Sequence, residues 1–206
     1  MADDPRLAAL GQFTPEGYLT PGYGDHYLFL VGRDDVHGIL LALLTAETMG
    51  LKLNMFGYDD DALNDAILKL MANPNIAVQA SLDKSQAGGV HERKLLAADV
   101  ASDPRFYNSF VVLQSATHQI SHTKGGVLTA QGLAFEGSTN WSASGEGTGI
   151  NLDPKAVPAP GFVAQNNTFL LSANPVFNAR FAARLDVEHL TGLAQRAAST
   201  QRSTAP

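Results

Sequence analysis

The sequence predicts an α/β fold, a sheet with helices on its faces. Three observations carry this expectation. Strand-like apolar runs alternate with helix-like segments through the first half of the chain. Capping and turn residues stand where those segments change. Hydrophobic residues make up 45% of the 206 and charged residues 17%, which supplies a packed core and argues against wholesale disorder. The length suits one domain, or one domain with a tail.

Residues 1–25 hold Pro5, Pro15, Pro21 and several glycines and read as an irregular lead-in. The domain is expected over residues 26–196, and residues 197–206 read as a disordered tail. Tyr27-Leu-Phe-Leu-Val31 is a buried strand by length and composition. Asp34 or Asp35 is placed to cap a helix reaching about Met49. Leu51-Lys-Leu-Asn-Met-Phe56 alternates, as a strand does. Asp59, Asp60 and Asp61 crowd the start of the next helix, where carboxylates suit the positive dipole end. That helix ends near Asn73, ahead of Pro74. Ile76–Leu82 is a third strand, and Gly88-Gly89 opens a turn before a helix near His91–Val100.

After residue 108 the character changes. Phe110–Leu113, Gln119–His122, Gly126–Thr129 and Leu133–Glu136 are short strand-like runs. Residues 142–165 are rich in Gly, Pro, Ser and Asn and read as a long surface loop. Thr168-Phe-Leu-Leu171 is a last strand. Asn174 then caps a helix with Pro175 at its first position and Val176, Phe177, Phe181 and Leu185 on one apolar face. There is no internal repeat.

Composition narrows the function. A net charge of −6 argues against a broad basic face for tight duplex binding, though not against a small phosphate pocket. The absence of cysteine excludes disulfides, thiol catalysis and cysteine-based zinc sites. The longest apolar stretch, Gly38-Ile-Leu-Leu-Ala-Leu-Leu44, is far short of the roughly 18 residues of a membrane span, so no stable membrane insertion is expected. Met-Ala-Asp-Asp at the start lacks the basic and apolar regions of a signal peptide. A cytoplasmic location is the expectation, unless a signal preceded this sequence.

The chemistry concentrates in one segment, His122-Thr-Lys124 followed by Gly137-Ser138-Thr-Asn140-Trp141-Ser142. In an extended chain residues i and i+2 share a face, so His122 and Lys124 stand together. An imidazole beside an ammonium suits a phosphate: one attacks or shuttles protons, the other holds negative charge. Gly137-Ser138-Thr-Asn140 adds a hydroxyl, an amide and backbone N–H groups, with glycine allowing close approach. Hairpin pairing would gather these donors in one pocket. A lone His122 would more often be an inconsequential histidine; the ordered set reverses that. Gly145-Glu-Gly-Thr-Gly149 lacks the context of a phosphate loop and reads as plain loop. Asp59–Asp61 read as a helix-start cluster rather than a cation site, and Trp141 as core. His26, His37, His91 and His189 read as ordinary, since none stands at ligand spacing with a carboxylate, so no metal site is expected.

The ordered set closely resembles the His-x-Lys…Gly-Ser-x-Asn motif of the phospholipase D superfamily. Met55-Phe-Gly-Tyr-Asp59, Leu82-Asp-Lys-Ser-Gln-Ala87 and Asn166-Asn167 resemble further parts of its small bacterial nuclease-like members, extending the likeness over roughly residues 25–190. The chain departs from the pattern twice. The motif's aspartate falls at Thr129, with one extra residue before Gly137, and the acid that orients the histidine falls at Thr168. Glu146 is the candidate substitute for that acid.

The resemblance implies a mixed β-sheet flanked by helices on both faces, a phospholipase D-like sandwich. It implies a metal-independent phosphodiesterase with no cofactor, working through a phosphohistidine on His122. Lys124, Asn140 and Ser138 would complete the catalytic set, with Gly137 in the substrate pocket. Apart from the resemblance, His118 shares the face of His122 if the chain is extended and either lines the pocket mouth or is plain polar surface, and Glu146 is a further pocket candidate. Because the family's active site needs two motifs and this chain has one, the resemblance implies a homodimer with a shared site. Nucleic acid is the expected substrate. The alternatives are a phospholipid headgroup hydrolase, disfavoured by the lack of an amphipathic basic helix, and a degenerate binding or structural module, suggested by Thr129 and Thr168.

Overall fold

The computed structural model describes residues 5–20, 25–102, 107–114 and 121–203. A short helix α1 (Pro5–Ala9) and a 3₁₀ turn (Leu10–Phe13) lead into β1 (His26–Leu30), α2 (Val36–Ala46), β2 (Gly50–Met55), α3 (Asp61–Met71), β3 (Ala77–Asp83) and α4 (Val90–Ala101). Then follow β4 (Asn108–Leu113), β5 (Lys124–Leu128), β6 (Leu133–Gly137), α5 (Ala143–Glu146), β7 (Thr168–Ser172) and α6 (Pro175–Ser203). The caps expected from the sequence are in place. The Asp35 carboxylate accepts from Gly38 N at 2.9 Å, that of Asp60 from Leu63 N at 2.8 Å, and the Asn174 side chain from Phe177 N at 3.0 Å.

The seven strands form one sheet in the order β1-β7-β6-β5-β2-β3-β4. β2, β3 and β4 run parallel, and the other pairings are antiparallel, so the sheet is mixed. Alternation along β2 sorts the two faces. Leu51, Leu53 and Met55 join Ile39, Leu40, Leu63, Ile67 and Leu95 in one buried core beneath α2, α3 and α4. Lys52 and Asn54, between them, point to α6: Lys52 Nζ lies 2.7 Å from Asp186, and the Asn54 amide reaches Glu188. His189 of α6 is buried in the same layer, between Ser81 Oγ at 3.3 Å and Ser109 Oγ at 2.8 Å. Burial there lowers its pKa. Helices thus cover both faces, as the family resemblance implied.

Four expectations need correction. The lead-in is not wholly irregular: Leu7 and Leu10 enter the core, and that burial holds the first two helical turns. The expected tail is helical to Ser203, because α6 continues beyond residue 197. Val176 is exposed rather than on the packed face of α6, whereas Leu185 is buried. The expected strand Gln119–His122 falls partly outside the described residues, and regular pairing begins only at Lys124.

One buried carboxylate ties the motif hairpin to the fold. Glu47, at the end of α2, accepts through Oε1 from the N–H groups of Thr48 (3.0 Å), Met49 (2.8 Å), Gly50 (2.9 Å) and Ala130 (3.0 Å). Ala130 belongs to the turn between β5 and β6. Burial raises the Glu47 pKa, but these bonds outweigh it and hold the carboxyl below its ordinary value. Glu47→Ala is expected to cost about 2–4 kcal/mol in denaturant unfolding, because four donors lose a charged acceptor. A loss under about 1 kcal/mol would contradict this role. A depressed pKa stabilises the fold above the unfolded value. Glu47's contribution should therefore fade as the pH falls below about 4.5, towards its folded pKa.

Candidate active site

The antiparallel hairpin of β5 and β6 places Gly125 opposite Glu136, so the start of β5 and the end of β6 reach the same sheet edge. The carboxyl ends of β2, β3 and β4 lie along that edge too. His122 precedes β5 by two residues and stands beside Lys124. Lys124 Nζ lies 3.0 and 2.9 Å from the two ring nitrogens of His122 and 3.0 Å from its carbonyl oxygen. The imidazole is exposed, whereas Lys124 is only 4% exposed. Phe56, continuing β2, packs against both side chains. Its ring centre is 5.0 Å from Nζ and 4.5 Å from the His122 ring. Burial lowers the Lys124 pKa, since the ammonium has lost much of its water.

The second segment is fixed beside the first by backbone bonds. Trp141 N donates to Gly57 O at 2.8 Å and Asp59 N donates to Trp141 O at 2.6 Å. The Trp141 ring is buried and stacks on Phe135. Asn140 packs against Gly57, where a Cβ would stand 2.7 Å from Asn140 Oδ1. That oxygen is buried and has no hydrogen-bond partner. Gly137 is required by β7: a Cβ there would stand 2.1 Å from Thr168 O. Ser138 is exposed; its hydroxyl donates to Asn167 Oδ1 at 3.1 Å and accepts from Thr168 N at 3.0 Å.

His122, Lys124, Gly137, Ser138 and Asn140 therefore share one edge, on segments held together by the hairpin and the Trp141 bonds. His118 lies outside the described residues. Thr129 follows β5 at the end remote from His122, so the missing aspartate leaves no gap at the site. Thr168 begins β7, with its backbone bonded to Ser138 and Thr139. Glu146 does not take the orienting role for His122. Ser142 caps α5, and the helical turn carries Glu146 inward, wholly buried, with Oε2 2.6 Å from His37 Nδ1. Burial, opposed by the His37 bond and reinforced by Asp60, pushes the Glu146 carboxyl up to about 7. The His37 bond in turn raises the histidine's pKa.

Sequence reasoning missed three residues around His122. Phe56 stood in the Met55–Asp59 stretch that resembles the family, but nothing in the sequence placed its ring on His122. Asp83, ending β3, accepts from Ser121 N at 2.7 Å and from Ser85 N at 2.8 Å. Burial raises its pKa, but these bonds and the neighbouring His122 outweigh it and keep the carboxyl below its ordinary value. Through Ser121 it touches the segment that carries the motif histidine. Arg184 of α6 lines, with Ser121, His122, Glu188 and Gln195, a cleft of about 290 Å³. Its guanidinium pairs with Glu188 at 2.6 Å.

Comparison with solved structures bears on the fold. NucT from Helicobacter pylori superposes with a TM-score of 0.60 at 13% identity, covering 79% of this chain and 94% of that one. Nuc from Salmonella typhimurium, described as a phospholipase D family member, gives 0.54 at 12% identity, with 81% and 96% covered. The chain has the phospholipase D fold. Phosphatidylserine synthase from Haemophilus influenzae shares it, at a TM-score of 0.58 and 10% identity, over 88% of this chain and 40% of that one. No family sequence model matches, and no curated protein does. In this phospholipase D fold an exposed imidazole stands against a largely dehydrated ammonium at a cleft, with hydroxyl and amide donors on the adjoining strand end. Such a set can attack or protonate a phosphoryl group and balance its charge. Among the described residues no helix is long and apolar enough to cross a membrane.

Proposed function

We propose that this protein is a metal-independent phosphodiesterase that cleaves DNA or RNA through a phosphohistidine intermediate. The observation that carries the reading is the contact of Lys124 Nζ with the His122 ring, at 2.9–3.0 Å, on the edge that also holds Gly137–Asn140. His122 forms a bond to phosphorus and the bond to the leaving oxygen breaks. His122 of the partner subunit, within a two-fold homodimer, gives that oxygen its proton. The same imidazole then takes a proton from water, whose oxygen displaces His122 and completes hydrolysis. Lys124 balances the charge on the equatorial oxygens, while Asn140 and Ser138 donate hydrogen bonds to them. Gly137 lets the backbone approach. Asp83, through its bond to Ser121, steadies the segment that presents His122.

Nucleic acid is favoured as substrate because small single-motif members of the phospholipase D superfamily are most often nucleases. A phospholipid headgroup is the second reading, favoured by the fold shared with a phosphatidylserine synthase. A gel assay on single- and double-stranded DNA and on RNA, with EDTA present, tests the proposal. Cleavage that persists in chelator is expected, because Lys124 supplies the cation. Loss on chelation and recovery with magnesium would refute the metal-free mechanism. Choline release from phosphatidylcholine vesicles without nucleic-acid cleavage would move the substrate to lipid. Inactivity on both would leave a binding module, the reading that Thr129 and Thr168 motivate.

A further inference from the structure

We propose that His37, Asp60 and Glu146 form a second site, one that binds a divalent transition-metal ion of the zinc class and pins three segments of the fold together. The three residues come from separate elements. His37 lies in the first turn of α2, Asp60 caps α3, and Glu146 ends α5. His37 Nδ1 stands 2.6 Å from Glu146 Oε2 and 3.5 Å from Asp60 Oδ2. One ligand atom from each can be chosen so that all lie within 4.8 Å of one another. Zinc holds nitrogen and oxygen ligands at about 2.1 Å, so neighbouring ligands in a tetrahedron stand about 3.4 Å apart. The Asp60–His37 separation already has that value, and the Glu146–His37 separation need open by less than about 1 Å to reach it.

Two further observations point to a ligand. Glu146 is 0% exposed, and its Oε1 has no hydrogen-bond partner. A buried carboxylate oxygen without a donor is costly unless something positive meets it. Asp60 divides its labour: Oδ1 caps α3 at Leu63 N, which leaves Oδ2 turned to His37. Two carboxylates and one imidazole carry two negative charges when the histidine is neutral, which one divalent cation balances. One nitrogen and two oxygens make a three-ligand set that leaves a coordination position for water, and its nitrogen favours zinc over manganese and magnesium. The ion would join the first turn of α2, the start of α3 and the end of α5.

Calorimetric titration of chelator-stripped protein with Zn²⁺, Mn²⁺ and Mg²⁺ tests this. One zinc per chain is expected, with a melting point raised by about 5–10 °C at a hundredfold excess over Kd. His37→Gln should weaken zinc binding by more than about tenfold, at least the scale of losing an outer-shell partner. Glu146→Gln serves if that variant does not fold. Should neither fold, the zinc absorption edge of wild-type protein decides, since the site demands one imidazole with oxygen ligands. A wild-type chain that binds no zinc saturably, one that binds it unchanged after His37→Gln, or an edge reporting several imidazoles would each overturn the site. In the first case the cluster is a proton-sharing histidine–carboxyl pair.

Discussion

Replacing His122 with asparagine is expected to lower phosphodiester cleavage by at least about a thousandfold, because losing a nucleophile removes the whole covalent route. The fold should not notice. The imidazole is exposed at the sheet edge, its ring contact is with Phe56, and its backbone lies outside the regular strand. A surface substitution of this kind shifts stability by no more than about 0.5 kcal/mol. Lys124→Met should be nearly as damaging to turnover, and it separates chemistry from packing in a different way. The lysine stem is buried and methionine fills that space, so what disappears is the charge beside the phosphoryl oxygens. Cleavage rates measured on both variants, with melting curves as the control for folding, decide the matter. Either variant retaining more than about a tenth of the wild-type rate, while folded, would move the chemistry away from this edge.

Much of this edge could be read from residues alone, and the reasons are local. Residues two apart stay close along an extended stretch, so His122 and Lys124 meet although regular pairing begins only at Lys124, and a hairpin needs only short-range pairing to bring Gly137–Asn140 alongside. The caps at Asp35, Asp60 and Asn174 are likewise decided within four residues. What stayed hidden depends on contacts between elements far apart in the chain. Glu146 sits four residues after Ser142 and looked free to reach His122. The cap on α5 turned it instead towards His37, 109 positions away. His37 stands at no ligand spacing in the sequence, yet three separate elements meet around it. Asp83 reaches the motif because β3 and β5 flank β2, a fact of strand order that no spacing reveals. The amino-terminal segment misled through its prolines, since Leu7 and Leu10 find a core that local composition does not announce.

Mixing wild-type chains with an excess of His122→Asn chains should lower the activity per wild-type chain, and this follows from the stoichiometry of the proposed reaction. In-line displacement at phosphorus needs a nucleophile on one side and a general acid on the other. Among the described residues the edge holds one histidine with a lysine at the i+2 position, and the proposed two-fold partner would supply the second by symmetry. A heterodimer then has one imidazole where two are required, so it should be as defective as the mutant homodimer. With random reassociation of equal amounts, half of the wild-type chains meet wild-type partners, so activity per wild-type chain should fall to about half and decline further with more mutant. The interface must hold both motifs rigidly and should bury more than about 1,000 Å² in total. The mixture is prepared by joint unfolding and refolding, with light scattering to establish the oligomer. A flat titration, or a monomer that retains full activity, would dissolve the shared site. The second histidine would then have to come from the same chain, and His118, four residues before His122, would be the residue to mutate next.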